Sequence, residues 1–118
     1  MLSYTSVPLI LQPALRLHHN PQFEAFPPEV ATMTSLRHID LVGFRRLPKN
    51  IELFPSLEEL KLTFSGIVPR QVEPLIARPN GLKSVMVGEE YYNIFKELTT
   101  KYPNFSVTQE QTSLRGNY

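Results

Sequence analysis

The three histidines are the residues that most readily suggest metal chemistry. His18 and His19 are adjacent, and neighbouring residues of an extended strand point to opposite faces, so these two do not share one site. If the strands are aligned by their leucines, His18 and His38 lie about four residues apart along the sheet, or roughly 13 Å at about 3.3 Å per residue. Metal–nitrogen bonds are only about 2 Å long. We therefore expect no metal site.

The acidic pairs Glu58-Glu59 and Glu89-Glu90 are the next candidates for chemistry. Consecutive strand residues cannot both line one site, so a solvated rim is the simpler interpretation of both pairs. The chain contains no cysteine, which excludes disulfides and thiolate chemistry. The motifs of phosphate-binding loops, dinucleotide-binding folds, zinc peptidases and serine hydrolases are all missing from the sequence. We expect no catalytic residue, no cofactor and no small-molecule substrate, and hence no enzyme.

A pair of arginines, Arg45-Arg46, follows the second predicted strand. Two arginines in a turn are most often only solvated. Their planar guanidinium groups nevertheless also suit an acidic peptide or a phosphate. The sequence leaves this choice open.

Composition is that of an ordinary soluble domain. The chain has 118 residues, of which 42% are hydrophobic and 19% charged, with a net charge of +1. This balance gives no reason to expect nucleic acid or an acidic membrane surface as a partner. The first residues include no basic residue ahead of their short apolar run, and no apolar run approaches the roughly 18 residues of a membrane span. We expect a cytoplasmic protein.

A repeated pattern must position any functional residues. The segments Leu36–Phe44 and Leu57–Ser65 both read L-x-x-[IL]-x-L and begin 21 residues apart. Similar segments begin at residues 12, 36, 57, 82 and 105, so successive starts are 24, 21, 25 and 23 residues apart. Alternating leucines predict a short strand with one buried face. Prolines at 27, 28, 48, 69 and 74 favour extended or turn backbone, rather than long helices, between the strands.

The pattern resembles leucine-rich repeats over about residues 12–108, and intervals of 20–29 residues are typical of that family. The resemblance implies an α/β solenoid of about four units, with a short parallel sheet on the concave side and irregular proline-rich return arms. The spacing of Ile94, Phe95, Leu98 and Tyr102 predicts one C-terminal amphipathic helix at Asn93–Lys101. Residues 1–11 would be an N-terminal lead-in or cap. The helix and Phe105–Thr108 would form the C-terminal cap of the domain at 12–108, and residues 109–118 a loose tail.

The asparagine position of leucine-rich repeats is matched in only one of the units. An asparagine normally follows the second inner leucine by three residues and hydrogen-bonds the turning backbone. Asn20 matches it, whereas Phe44, Ser65 and Glu90 stand at the equivalent places. Ser65 can make one such bond, and the other turns must find other partners for their backbone groups. An irregular solenoid is expected.

Aligning the units predicts both the core and the rows of charge on the sheet. The row Arg16, Asp40, Lys61, Met86 and the row Arg37, Glu58, Lys83 alternate in sign, and Asp40 is expected to lie between Arg16 and Lys61. Opposite charges on adjacent strands stabilise a sheet by a few tenths of a kcal/mol up to about 1 kcal/mol. The expected core rows are Leu15, Leu17, Leu36, Ile39, Leu41, Leu57, Leu60, Leu62, Leu82, Val85 and Val87.

The resemblance implies a non-enzymatic module that binds a protein partner through the concave strand face. Alternatives are the C-terminal recognition arm of a larger protein, such as an immune receptor or a ubiquitin-ligase adaptor, and a degraded repeat with a purely structural role. The predicted partner-binding residues share the outward face of the sheet or its rim: His18, His38, Asp40, Val42, Glu59, Lys61, Thr63, Phe64 and Met86.

Overall fold

The protein is a mixed α/β structure built on a parallel sheet. A computed structural model describes residues 13–110 of the chain. Its sheet has five strands, and the order of the strands in the sheet is their order in the sequence. Each connection therefore links two neighbouring strands. The strands are β1 (Ala14–His18), β2 (His38–Val42), β3 (Glu59–Thr63), β4 (Ser84–Val87) and β5 (Ser106–Gln109).

The register of the sheet confirms the alignment predicted from the sequence. Arg16 is paired with Asp40, Asp40 with Lys61, and Lys61 with Met86. Strand β5 continues the same row with Thr108 beside Met86. Side chains that the sequence assigns to one row are therefore neighbours across the strands.

Backbone hydrogen bonds extend the ladder beyond both ends of the strands. Before the strands, the Glu58 N–H donates to the Arg37 carbonyl (2.9 Å), and the Lys83 N–H donates to the Glu58 carbonyl (2.7 Å). After them, the Gly43 N–H donates to the Thr63 carbonyl at 2.8 Å. The Phe44 carbonyl accepts from the Gly66 N–H at 3.0 Å. Neighbouring turns thus satisfy one another's backbone groups.

Apolar residues at every second strand position form one side of the core. Their alternation follows from the period of two along a strand. The predicted core is confirmed, except that Leu17 is only partly buried. The side chains between these residues point to the other face of the sheet. Phe44 is buried and makes edge-to-face contacts with His19 and Phe23.

The connections form the second layer of the core and contain more helix than the sequence suggests. Two short 3₁₀-helical turns occupy the first two connections, at Pro28–Thr32 and Ile51–Leu53. The third and fourth connections contain the helices α1 (Pro69–Ala77), α2 (Glu89–Lys96) and the single-turn α3 (Leu98–Lys101).

Helix α1 corrects the expectation of extended or turn backbone around Pro69 and Pro74. Pro69 occupies the first turn, where a backbone N–H would have no partner within the helix. Pro74 lies inside the helix on its exposed side. The carbonyl left without a helical partner can therefore face water. Burial of Val72 and Leu75 against the sheet stabilises the helix despite the second proline.

The predicted helix over Asn93–Lys101 is wrong in its limits and in one buried residue. Helix α2 begins four residues earlier, at Glu89, and a separate turn, α3, covers the last part. Phe95 and Leu98 are buried as expected, whereas Ile94 is 41% exposed. Tyr91 and Tyr92, which precede the predicted helix, pack against the core together with Phe95 and Leu98.

The folded region extends two residues beyond its predicted C-terminal end at residue 108. Strand β5 continues through Gln109, and the side chain of Glu110 forms an ion pair with Lys61. Two residues assigned to the loose tail are therefore part of the structure. The predicted lead-in at 1–11 and the remainder of the tail lie outside the described residues.

Arg78 joins two connections at the end of α1. Its guanidinium donates to the carbonyls of Glu52 and Phe54, the latter at 2.9 Å. Partial burial lowers the pKa of Arg78, and its buried Nε has no hydrogen-bond partner. The side chain holds the end of α1 against the preceding connection.

A carboxylate joins α1 to the segment after α3. Glu73 accepts hydrogen bonds from the ammonium of Lys101 and from the hydroxyl of Tyr102 (2.9 Å). These bonds lower the pKa of Glu73 and raise the pKa of both Lys101 and Tyr102. All three shifts favour carboxylate, ammonium and neutral phenol together.

Candidate interaction surface

One face of the sheet has no helix or 3₁₀ turn over it within the described residues. Side chains from every such element (for example Val30, Ile51, Val72, Phe95 and Leu98) pack into the core on the other face. We call the uncovered side the open face. It consists of the outward side chains Arg16, His18, His38, Asp40, Val42, Glu59, Lys61, Thr63, Ser84, Met86, Ser106 and Thr108.

The middle row of the open face consists of Arg16, Asp40, Lys61 and Met86. Its charged residues form ion pairs, although one pair differs from the prediction. Asp40 Oδ2 lies 3.4 Å from Arg16 Nε, as expected. Its other oxygen accepts a hydrogen bond from the Thr63 hydroxyl at 3.3 Å. Lys61 pairs with Glu110 at 3.2 Å rather than with Asp40. Asp40 lies between Arg16 and Lys61 in the register, as expected, but it pairs only with Arg16, because the residue after β5 supplies a second carboxylate within reach of Lys61.

A polar row crosses the open face at the beginning of the strands. His38 Nδ1 lies 3.2 Å from Glu59 Oε1, and the Ser84 hydroxyl donates to Glu59 Oε2 at 3.3 Å. Glu59 remains 57% exposed in its side chain. These contacts order polar groups that stay accessible to a partner.

The adjacent row of charges confirms the alternation predicted from the sequence. Arg37 Nη1 lies 2.9 Å from Glu58 Oε2, and Lys83 Nζ lies 3.7 Å from the same oxygen. The pairs are exposed, so each contributes at most about 1 kcal/mol to stability. Both cations share the single carboxylate of Glu58.

The rim at the carboxyl ends of the strands carries the most unusual residue of the open face. Phe64, directly after β3, is 90% exposed and has a φ of +49°. The preceding strand places Gly43, with a φ of +81°, at the equivalent position. Only residues without a Cβ adopt this backbone region freely. An exposed phenylalanine thus stands where a glycine fits better.

The nine residues predicted to bind a partner all belong to the open face or its rim. The structure brings His38 together with Glu59, and Asp40 together with Thr63. Asp40 and Thr63 are nearly covered, at 8% and 9% exposure. Short side chains between long ones on strands about 4.8 Å apart become covered in this way. The other members, His18, Val42, Lys61, Phe64 and Met86, keep accessible surface.

Two pockets at the same rim were not predicted. The first, of about 430 Å³, is lined by apolar side chains including Phe23, Phe44 and Leu47. Three cations also line it: Arg45, Arg46 and Lys49. Arg45 further lines a second pocket, of about 630 Å³, together with Phe64. The arginine pair was visible in the sequence, but its position between the pockets depends on the turn after β2.

The histidine, aspartate and glutamate side chains of the described residues are spread over the structure. Within residues 13–110, no three histidine, aspartate or glutamate side chains lie close enough to hold an ion. His18 and His38 lie at opposite ends of neighbouring strands, as the alignment predicted. His19 packs its ring edge-to-face on Phe44, with centroids 5.4 Å apart.

No family model matches the chain, and neither a curated protein nor a solved structure is significantly similar to it. In the described part of the chain, none of the helices is long and apolar enough to cross a membrane.

Proposed function

We propose that this chain is a non-enzymatic protein–protein interaction module, built as a short leucine-rich repeat solenoid that binds through its open face. The solenoid is supported by five parallel strands in sequence order and by their continuous register. The repeated start positions also support it, because Leu36, Leu57, Leu82 and Phe105 are all buried. Units of this kind bury their apolar faces only against one another.

The observation that carries the proposal is Phe64. A large aromatic side chain with 90% exposure contributes little to folding, and its left-handed backbone costs free energy. Strained residues of this kind cluster at functional sites. Aromatic side chains are also favoured as anchors of protein interfaces. Phe64 beside an uncovered sheet face is therefore best explained by a partner that buries its ring.

The remainder of the open face suits a protein partner better than a polyanion. Arg16 and Lys61 lie beside the carboxylates of Asp40 and Glu110, so their charges are largely neutralised. Met86 adds an adaptable apolar side chain at the centre of the face. The result is a surface of ordered polar groups with apolar contacts at its centre and rim.

A capture experiment with matched charge substitutions tests the proposal. Immobilised wild-type chain is compared with Met86→Asp on the open face, Phe64→Asp on the rim and Thr100→Asp on the exposed side of α3. The proteins retained from the cells that express the chain are quantified by mass spectrometry. We expect Met86→Asp and Phe64→Asp to lose proteins that Thr100→Asp keeps. Equal retention by all four chains, each verified as folded by circular dichroism, would contradict the proposal.

A further inference from the structure

We infer that the partner presents an acidic peptide segment with a large apolar side chain, and that it docks on the rim formed by Arg45, Arg46, Lys49 and Phe64. We call these four residues the basic rim. The inference rests on the proposed function and specifies the chemistry of the partner. It concerns the end of the strands that lies opposite the Arg37–Glu58–Lys83 row.

Three of these residues carry positive charge that the described chain does not neutralise. Arg45, Arg46 and Lys49 are exposed, and none has a carboxylate partner within residues 13–110. The cations on the strands or directly before them differ, since Arg16, Arg37, Lys61 and Lys83 each lie beside a carboxylate. A cluster of three cations without a carboxylate partner in the described residues therefore marks this rim. A ligand with carboxylates would complement it.

The pockets beside these cations supply the apolar part of the site. Phe23, Phe44 and Leu47 line the first pocket between the cations. On the other side of Arg45, the second pocket is bordered by Phe64 and Tyr91. A peptide crossing Arg45 would place an apolar side chain against either aromatic wall. Arginine guanidinium groups bind carboxylates in a planar, two-bonded geometry, which fixes the register of such a peptide.

An acidic peptide fits the charge better than a nucleic acid or a membrane. Each pocket contains one carboxylate, Glu24 in the first and Glu90 in the second, so the excess positive charge is small and local. The whole chain carries a net charge of only +1. Nucleic acids and acidic membranes are bound by extended basic surfaces that neutralise many phosphates or headgroups. A few carboxylates around one apolar residue match a rim of this size.

Selection from a random peptide display library on the full chain tests the inference without a known partner. Enriched peptides are synthesised with a fluorescent label, and their dissociation constants are measured by fluorescence anisotropy. The rim variants are Arg45→Ser/Arg46→Ser and Phe64→Ser. The matched control, Arg37→Ser/Lys83→Ser, removes the same charge from the far end of the strands. Phosphatidylserine vesicles and single-stranded DNA serve as competitors.

We expect the enriched peptides to combine aspartate or glutamate with leucine or phenylalanine. Arg45→Ser/Arg46→Ser should weaken their binding by about tenfold or more, because each arginine makes a charge-assisted contact. Phe64→Ser should also weaken it, whereas the control should bind within about twofold of wild type. Replacing each acidic residue of the peptide with its amide should reproduce the loss.

Four results would overturn the inference. Enriched peptides without acidic residues, or equal losses in the rim and control variants, would remove the role of the rim cations. Vesicles or DNA that displace the peptides at lower concentration than the peptides themselves would identify a polyanion as the better ligand. A selection without any enriched sequence would also count against a peptide site. Capture that depends on Met86 would still support the interaction module in each case.

Discussion

Exchanging Phe64 for glycine and for alanine separates the cost of its backbone from the contribution of its ring. Phe64 has a φ of +49°, and its neighbour in the preceding turn, Gly43, has a φ of +81°. At most positions alanine is the more stabilising of the two residues. At position 64 we expect the opposite order, with Phe64→Gly more stable than Phe64→Ala.

The magnitude follows from two opposing terms. A residue with a Cβ in the left-handed region costs about 1–2 kcal/mol. Glycine loses about 0.5–1 kcal/mol more backbone entropy on folding than alanine. The difference favours Phe64→Gly over Phe64→Ala by about 0.5–1 kcal/mol, or about 2–6 °C in Tm. The ring hardly enters, since with 90% exposure it buries about 20 Å² of roughly 200 Å², or about 0.5 kcal/mol.

Urea unfolding followed by far-ultraviolet circular dichroism provides the assay, with the free energy of unfolding extrapolated to water. Two further variants calibrate the series. Gly43→Ala, at positive φ, should destabilise the chain by about 0.5–1 kcal/mol. Gly66→Ala lies two residues from Phe64 but has no positive φ, and the added Cβ would come no closer than 3.8 Å to the Arg45 backbone. It should leave the stability unchanged or raise it.

A clear outcome would refute this reasoning. If Phe64→Ala is as stable as Phe64→Gly or more so, while Gly43→Ala behaves as expected, then Phe64 is not strained in solution. Its exposure would then be the only feature that marks it as functional. If the predicted order is found, Phe64→Gly should also lose partner capture, which would make position 64 a site where binding opposes stability.

The remaining predictions concern the contacts that hold the sheet and its connections together. Arg78→Met should lower the free energy of unfolding by about 1–3 kcal/mol, because two carbonyls lose a charged donor, and urea unfolding of Arg78→Lys should show a smaller loss. Leu60→Ala should cost about 2–5 kcal/mol, since Leu60 is 1% exposed at the centre of the core. The lowered pKa of Glu73 means that its stabilising contribution is present above about pH 4.3 and is lost as the pH falls through the lowered value. The stability difference between wild type and Glu73→Gln in urea should therefore be positive at pH 7 and shrink below about pH 4.3. The raised pKa values of Lys101 and Tyr102 have the opposite sign, so the same difference should also shrink as the pH rises above about 10. A difference that does not change with pH would show that the Glu73 contacts do not form in solution.

The strands and their register were predictable because two independent patterns agree on them. Buried leucines such as Leu60 and Leu62 recur at every second position, and the charges beside them alternate between strands. A shift of one residue would have moved every leucine to the open face. The sequence therefore determines which residues are neighbours in each row.

The connections were less predictable because packing overrides local preference there. Pro74 predicts an end to helix, yet α1 continues through it, since Val72 and Leu75 gain burial against the sheet. The start of α2 was predicted too late. Tyr91 and Tyr92 pack against the core and precede Ile94, the first apolar residue from which the helix was predicted. Such choices depend on the space above the sheet rather than on the segment alone.

The alternation along the strands predicts which face of the sheet carries the candidate site, but not the contacts between its side chains. The alternation assigns Lys61 to the row of Asp40, but the carboxylate that it contacts belongs to Glu110, beyond the last predicted strand. One signal for Phe64 was present in the sequence. Aligning the second and third units places Phe64 opposite Gly43, where a positive φ is needed.

Site-specific photocrosslinking tests the central proposal most directly. A photoreactive phenylalanine analogue is introduced in turn at Met86 and Phe64, on the open face and its rim, and at Glu97 and Thr100, on the exposed helical side. The chains are irradiated in the cells that express them, and the adducts are separated by size and identified. The proposal predicts the same discrete adduct from positions 86 and 64 and none from 97 and 100. Adducts that form only at 97 and 100, or equally at all four positions, would contradict it.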